Sequence, residues 1–354
     1  MTSVLNLAKS EAFAEQMVGI LNSGALALMI SIGHRTGLFD TLAELSPSTS
    51  AHIASAAGLN ERYVREWLGA MVTGQIVEYD ALAKTYYLPP EHSACLTRSA
   101  SPNNLAVTAQ FIPLLATVED QIIDCFYRGG GVPYSSYGRF HQIMAEDSGQ
   151  TVVAALEDQI LPLVPGLRAD LERGIDVLDL GCGHGYALMK LARHFPQSRF
   201  RGYDFSQDTI AAARAEAERL GLTNLEFQVQ DAALLGEIEQ YDFICTFDAI
   251  HDQAHPDAVL QNIYRALRPT GTYLMQEIRG SSHVQGNLDH AIAPFLYTIS
   301  CMHCMSVSLS AGGMGLGTLW GHELAMAMLR DAGFTAMEAH QLEHDLVNSY
   351  FVVN

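Results

Sequence analysis

Apolar positions recur along this chain in two rhythms, and the change from one to the other divides it. Up to about residue 98 the rhythm is helical. Ala25 to Ile30 are apolar on every side, which predicts a helix covered by a neighbour or a second subunit. Ser48 to Gly58 reads as a short helix opened by a hydroxyl cap and closed by glycine. After Asn60, the residues Val64, Trp67, Leu68 and Met71 fall at i, i+3, i+4 and i+7 on one helical face. Gln75–Asp80 and Thr85–Leu88 then read as a small hairpin. Helices followed by a hairpin predict a winged helix over residues 1–98. Leu105, Ala106, Ala109, Phe111, Leu114 and Leu115 continue in helical spacing. A loop with three successive glycines, Arg128–Tyr137, and further helices follow, so residues 99–170 are expected to form a helical connector and lid.

From residue 171 the rhythm shifts to short apolar runs separated by helices, the pattern of a buried parallel sheet. Strands are predicted at Asp176–Leu180, Arg199–Tyr203, Leu225–Val229, Tyr241–Phe247 and Gly271–Glu277. An insertion over 278–320, a helix from His322 to Ala332 and two last strands, Phe334–Glu338 and Ser349–Val353, complete the series. The expected fold class is α/β, a Rossmann-like seven-stranded domain over residues 171–354 behind a mostly helical N-terminal domain.

The first of these strands runs into Asp179-Leu-Gly181-Cys-Gly183-His-Gly185 and then a helix. Strand, glycine turn and helix bring backbone close to a ligand at a helix N-terminus. The spacing departs from the Gly-x-Gly-x-x-Gly of dinucleotide sites, and an acidic residue sits at the strand end. S-adenosylmethionine lacks phosphate and carries an amino-acid head, a sulfonium and a ribose diol, groups that carboxylates suit. The next strands end in Asp204, in Asp231-Ala232 and in Phe247-Asp248. Asp204 is placed to accept from ribose hydroxyls, and Asp231 from an adenine amino group beside the Ala232 backbone. An open parallel sheet binds its ligand at these carboxyl ends.

Asp-Leu-Gly-Cys-Gly-His-Gly, Gly-Tyr-Asp-Phe-Ser, Gln-Asp-Ala and Leu-Arg-Pro-Thr-Gly, in this order across residues 176–275, resemble the motifs of class I S-adenosylmethionine-dependent methyltransferases. The resemblance implies S-adenosyl-L-methionine as cofactor, a cofactor site of Asp179, Gly181, Gly183, Asp204, Phe205, Asp231, Ala232, Phe247 and Asp248, and an antiparallel last pair of strands. The N-terminal arrangement is similar to that of small-molecule O-methyltransferases and of bacterial methyltransferase-like proteins often labelled transcriptional regulators. Phe247-Asp-Ala-Ile-His251-Asp252 resembles the His-Asp-Trp motif whose histidine is the general base. That role is carried to His251, although Gln253-Ala-His-Pro replaces the residues that usually follow. The expected reaction is methyl transfer to a small, partly apolar molecule at a hydroxyl deprotonated by His251. The alternative is a winged-helix regulator that senses the cofactor, and a nicotinamide dehydrogenase is disfavoured by the glycine spacing.

Composition narrows the partners. A net charge of −19 argues against binding a phosphate backbone. The candidate recognition helix balances Glu61 and Glu66 against Arg62 and Arg65, so a homodimer with no nucleic-acid partner is expected. Met17–Gly33, interrupted by Asn22, Ser23 and Ser31, reads as falling short of a membrane span. The first nine residues lack the shape of a signal peptide, and the cytoplasm is the expected compartment. Cys301-Met-His303-Cys304 is a single pair of thiols, expected to be buried rather than to hold metal, so no metal is assigned. His303 is expected to be a satisfied core residue or, as a weaker candidate, to reach the substrate.

Overall fold

The computed structural model of this chain describes residues 5–354, so the start of the stretch read for a signal peptide, residues 1–4, lies outside the described residues. There are two compact units, one ending at Ala116 and one spanning Thr117–Asn354, and residues 99–170 are divided between them.

In the first unit Asn6 caps α1 (Leu7–Arg35) by accepting from the Lys9 amide at 3.1 Å. After α2 (Leu38–Glu44), Thr49 caps α3 (Ser50–Ala57), which Gly58 closes at φ 66°. Asn60 caps α4 (Glu61–Thr73), whose Val64, Trp67, Leu68 and Met71 are all buried, as their spacing predicts. Trp67 packs edge-on against Phe39 and donates its indole N–H to the Met29 carbonyl at 2.8 Å. Strands β1 (Glu78–Asp80) and β2 (Thr85–Tyr87) pair as the wing. The cations of α4 are tied to carboxylates of the same helix, Arg62 to Glu66 and Arg65 to Glu61.

One expectation changes here. The apolar window Met17–Gly33 belongs to a helix of 29 residues that by length and composition is long and apolar enough to cross a membrane. The polar residues that seemed to interrupt it do not break the helix. Ser23 turns its hydroxyl back onto the Gly19 carbonyl at 2.9 Å.

The second unit is built on one sheet of β3 (Asp176–Leu180), β4 (Arg199–Asp204), β5 (Leu225–Val229), β6 (Tyr241–Phe247), β7 (Leu267–Ile278), β8 (Met337–His340) and β9 (Asn348–Val353). Their order is β5-β4-β3-β6-β7-β9-β8, with β9 antiparallel to both neighbours. The helices used below are α5 (Phe140–Ser148), α6 (Tyr186–His194), α7 (Gln207–Arg219), α8 (Pro256–Ala266) and α9 (Gly321–Ala332). Two apolar layers sandwich the sheet. Val177, Phe243 and Cys245 meet Leu188, Leu191 and Phe195 on one side, while Leu178, Ile244 and Met275 meet Leu260, Ile263 and Leu329 on the other. Each such fully buried side chain contributes about 1.5–3 kcal/mol relative to exposure. Tyr241 and Phe243 should share a side by parity but belong to opposite layers, because a bulge shifts the register between them.

The expected strand Phe334–Glu338 is displaced to Met337–His340. Gly333 ends α9 at φ 121°, Phe334 folds back to the Leu329 carbonyl, and pairing begins at Ala336, against Asn354, with the strand proper from Met337. Strand order reverses between β3 and β6, and that reversal opens the crevice in which ligands of such sheets bind.

Candidate active site

The three glycines after β3 do three different things. A Cβ on Gly181 would lie 2.5 Å from the Cβ of Ala249, and one on Gly185 would lie 2.2 Å from the Phe227 ring. Both are absent because chain packs on chain there. Gly183, at φ 53°, faces open space, with nothing within 4 Å of such a Cβ. It is the position at which backbone can approach a ligand.

Asp204 holds this turn, accepting from the Gly183 amide at 3.0 Å and the Ser206 amide at 2.8 Å. Asp179 is buried with Oδ1 unpartnered, and burial together with the nearby Asp204 charge holds its carboxyl up at about 8. A buried carboxyl without a donor suits a cationic ligand group. Asp231 is exposed and caps the next turn through the Ala233 amide at 2.8 Å. The Asn262 amide steadies the same turn from the Ala232 and Ala233 carbonyls at 3.1 and 2.9 Å. Phe205 is half-exposed, and Phe247 is partly buried at the end of β6. Asp248 takes φ 51°, unusual for a residue with a side chain, and its Oδ1 is also unpartnered. Burial and the Glu277 charge push its carboxyl well up.

The segment after β6 thus packs directly on the glycine turn, through Ala249 on Gly181, and carries His251 two residues on. His251 is buried, with Nδ1 2.6 Å from Glu277 Oε2. Glu277, fully buried near the end of β7, also accepts from the Ile250 amide at 2.8 Å and the Trp320 indole at 3.2 Å. Burial alone would depress the imidazole, but the Glu277 carboxylate outweighs it, helped by the Cys304 thiol, and the ring is held well above its usual 6.5. With Nδ1 committed to Glu277, Nε2 is the nitrogen left for chemistry. Donor atoms of Asp248, His251 and Glu277 lie within 4.8 Å of one another, but the three donors already on Glu277 compete with any cation.

Over this floor lies the triple-glycine loop. A Cβ on Gly131 would fall 1.8 Å from the Ser306 carbonyl, and the Val132 amide donates to the Ser306 hydroxyl at 2.8 Å. Tyr134 hydrogen-bonds Asp252, and its ring lies 5.2 Å from that of Phe205. Burial raises the Asp252 carboxyl to about 6 against the pull of His251. His303 is not the satisfied core residue expected, because neither ring nitrogen has a partner.

The structure therefore brings together Asp179, Gly181, Gly183, Asp204 and Phe205 around one turn and Asp248 and His251 around the next, with Asp231 and Ala232 at the end of β5. Sequence reasoning missed Glu277, Trp320 and Tyr134. An acid ending the fifth strand, as acids end the other strands, was the available signal for Glu277.

Residues 24–98 match the model of an Rv2258c-like winged helix-turn-helix domain, and residues 171–333 match that of a methyltransferase domain. The malonyl-[acyl-carrier protein] O-methyltransferase of Bacillus cereus is 27% identical over 148 residues, 42% of this chain and 49% of that protein. The fatty-acid O-methyltransferase of Mycolicibacterium smegmatis is 31% identical over 112 residues, 32% of this chain and 40% of that protein. The chain thus spans half or less of the length of these curated relatives. Among solved structures, human N-acetylserotonin methyltransferase in complex with SAM superposes with a TM-score of 0.67 at 16% identity, over 100% of this chain and 99% of that one. An O-methyltransferase family protein from Burkholderia thailandensis gives 0.64 at 15% identity, over 99% and 98%. At these identities the likeness is one of fold.

Proposed function

We propose that this chain, which joins a winged helix-turn-helix domain to a methyltransferase domain, transfers a methyl group from S-adenosyl-L-methionine to a small, partly apolar acceptor, at a hydroxyl. The observation that carries the reading is the buried His251–Glu277 pair, set one short turn beyond the glycine loop on which it packs. The donor supplies a methyl group on a sulfonium. Asp204 and Asp231 hold its ribose and adenine, Gly183 admits its methionine part, and Asp179 takes its ammonium.

His251 takes the acceptor's hydroxyl proton on Nε2 while Glu277 fixes the ring and supports its charge. Glu277 raises the ring's affinity for a proton. A positive ligand beside it disfavours that charge, so donor binding prepares the neutral base. Aligning the two reactants accounts for several kcal/mol of the barrier. The loop over 129–140 acts as the lid.

Calorimetry with S-adenosylmethionine and S-adenosylhomocysteine tests the reading, and a folded protein giving no heat with either refutes it. His251→Ala should abolish turnover and leave cofactor affinity nearly intact.

The first unit serves dimerisation in this reading. Phe13, Val18, Ile20 and Leu21 on α1 are 53–68% exposed, more apolar surface than a solvated helix face normally presents. The self-paired charges of α4 argue against regulation through DNA, and specific nanomolar binding of genomic fragments would reverse that judgement. Six unpaired cysteines suit a reducing cytoplasm.

A further inference from the structure

His303 lies in a π-helical turn, Ser300–Cys304, within the insertion after β7. It is fully buried, and among the described residues it is the histidine with both ring nitrogens buried and unpartnered. Folded chains rarely leave a buried polar group in that state, and each case calls for an explanation. The ring is not loose. Phe140 of α5 stacks on its face at 3.7 Å between centroids and 14° between planes, while Tyr137 and Tyr134 meet it edge-on at 4.6 and 5.0 Å. Three aromatic rings therefore fix a polar ring whose hydrogen-bonding atoms have nothing to bond.

Its place relative to the proposed base gives those atoms a purpose. Tyr134, which meets its ring edge-on, hydrogen-bonds Asp252, the residue after His251, and the charge on His251 reaches His303. Burial first, then His251 and His141, depress the His303 ring to about 3, so it is neutral at any working pH. A neutral imidazole offers one donor and one acceptor and attracts no anion. The rings packed on it, Phe140, Tyr137 and Tyr134, are flat.

We propose that His303 recognises the methyl acceptor by hydrogen-bonding a second polar group next to the hydroxyl that His251 deprotonates, so that the acceptor class is a planar molecule with two vicinal polar groups. This deepens the methyl-transfer reading and rests on it. A filler role for His303 predicts instead that its replacement leaves the choice between acceptors unchanged, because the ring would then touch neither of them.

The test compares wild type, His303→Leu and His303→Gln with S-adenosylmethionine and two probes, 2,3-dihydroxynaphthalene and 2-naphthol, following S-adenosylhomocysteine release. Wild type should prefer the diol by at least about tenfold in kcat/KM, since a site built for a hydroxyl rejects the analogue that lacks it. His303→Leu should lose the preference, mainly through KM, and melt about 2–4 °C higher as the unpaired nitrogens disappear. His303→Gln should recover part of the preference. A preference that survives in His303→Leu, a lower melting point for that variant, or turnover of neither probe by wild type overturns the assignment. If wild type also fails to bind S-adenosylhomocysteine by calorimetry, the methyl-transfer reading itself has failed, whereas normal binding confines the failure to the acceptor.

Discussion

Replacing Glu277 with Gln isolates the charge of the buried pair while keeping its shape. The carboxylate accepts from the Ile250 amide at 2.8 Å, from His251 Nδ1 at 2.6 Å and from the Trp320 indole at 3.2 Å. A glutamine has one acceptor oxygen for these donors and turns an NH2 group toward the rest. Losing a charge-assisted hydrogen bond and stranding a donor costs roughly 2–4 kcal/mol. For a unit of this size that corresponds to a melting point lower by roughly 5–15 °C. The loss depends on pH. The folded-state pKa of His251 lies above its unfolded value of 6.5, so the stability it contributes is fully present below 6.5 and is lost as pH rises through the folded value. The gap between wild type and Glu277→Gln should therefore be widest near pH 6 and narrow toward pH 10. Thermal melts followed by circular dichroism at both pH values measure it. A gap under 2 °C at pH 6, or one of equal size at both, would refute the claim that charge holds this pair. The same variant should lower turnover by about 10²–10⁴, because an amide donating to Nδ1 puts the ring proton on Nε2, where the base must be free.

Other expectations concern the donor side and the first unit. Gly183→Ala should weaken S-adenosylhomocysteine binding by at least about tenfold while shifting the melting point only a few degrees. Gly185→Ala should fail to fold well, since its methyl group would enter the Phe227 ring; titration calorimetry and circular dichroism separate the two. With Asp179 held at about 8, donor binding should release a proton and tighten as pH rises from 6 to 8, measurable by calorimetry in buffers of different ionisation enthalpy. Asp179→Asn should remove the Asp179 share of that release and leave the share that His251 gives up. If α1 is the dimer interface, Leu21→Glu should convert a dimer to a monomer in light scattering without loss of helix content.

Much of the frame was legible because its causes are local. β3 and β6 are apolar runs too short for helices, and Asp204, Asp231 and Asp248 stand where such runs stop. Asn60 and the i, i+3, i+4, i+7 spacing of Val64 to Met71 announced α4 before any partner was known. Glu277 was harder to read: it ends its strand as the other acids do, but its meaning is set by His251, 26 residues earlier. The surroundings of His303 come from Tyr134, Tyr137 and Phe140, more than 160 residues upstream, and periodicity cannot report a contact at that separation. The start of β8 depended on where Gly333 lets α9 stop, a choice between neighbouring registers that propensity leaves open. The apolar stretch of α1 was seen, but its length as one helix was not, because a serine that bonds its own backbone looks in sequence like a break.

The covering loop is riveted at Gly131 and Val132 to the segment that follows His303 and Cys304, and just before that rivet stand Gly129 and Gly130, both at positive φ. A strip fastened so close to a pair of swivels has little room to slide. Beyond the rivet, Tyr134 leans at once on Phe205, beside the glycine turn, and on Asp252, beside His251. In the proposed reaction one movement of that tyrosine would release both contacts together, so that spent donor and methylated product would leave through a shared opening, their departures paced by a single event.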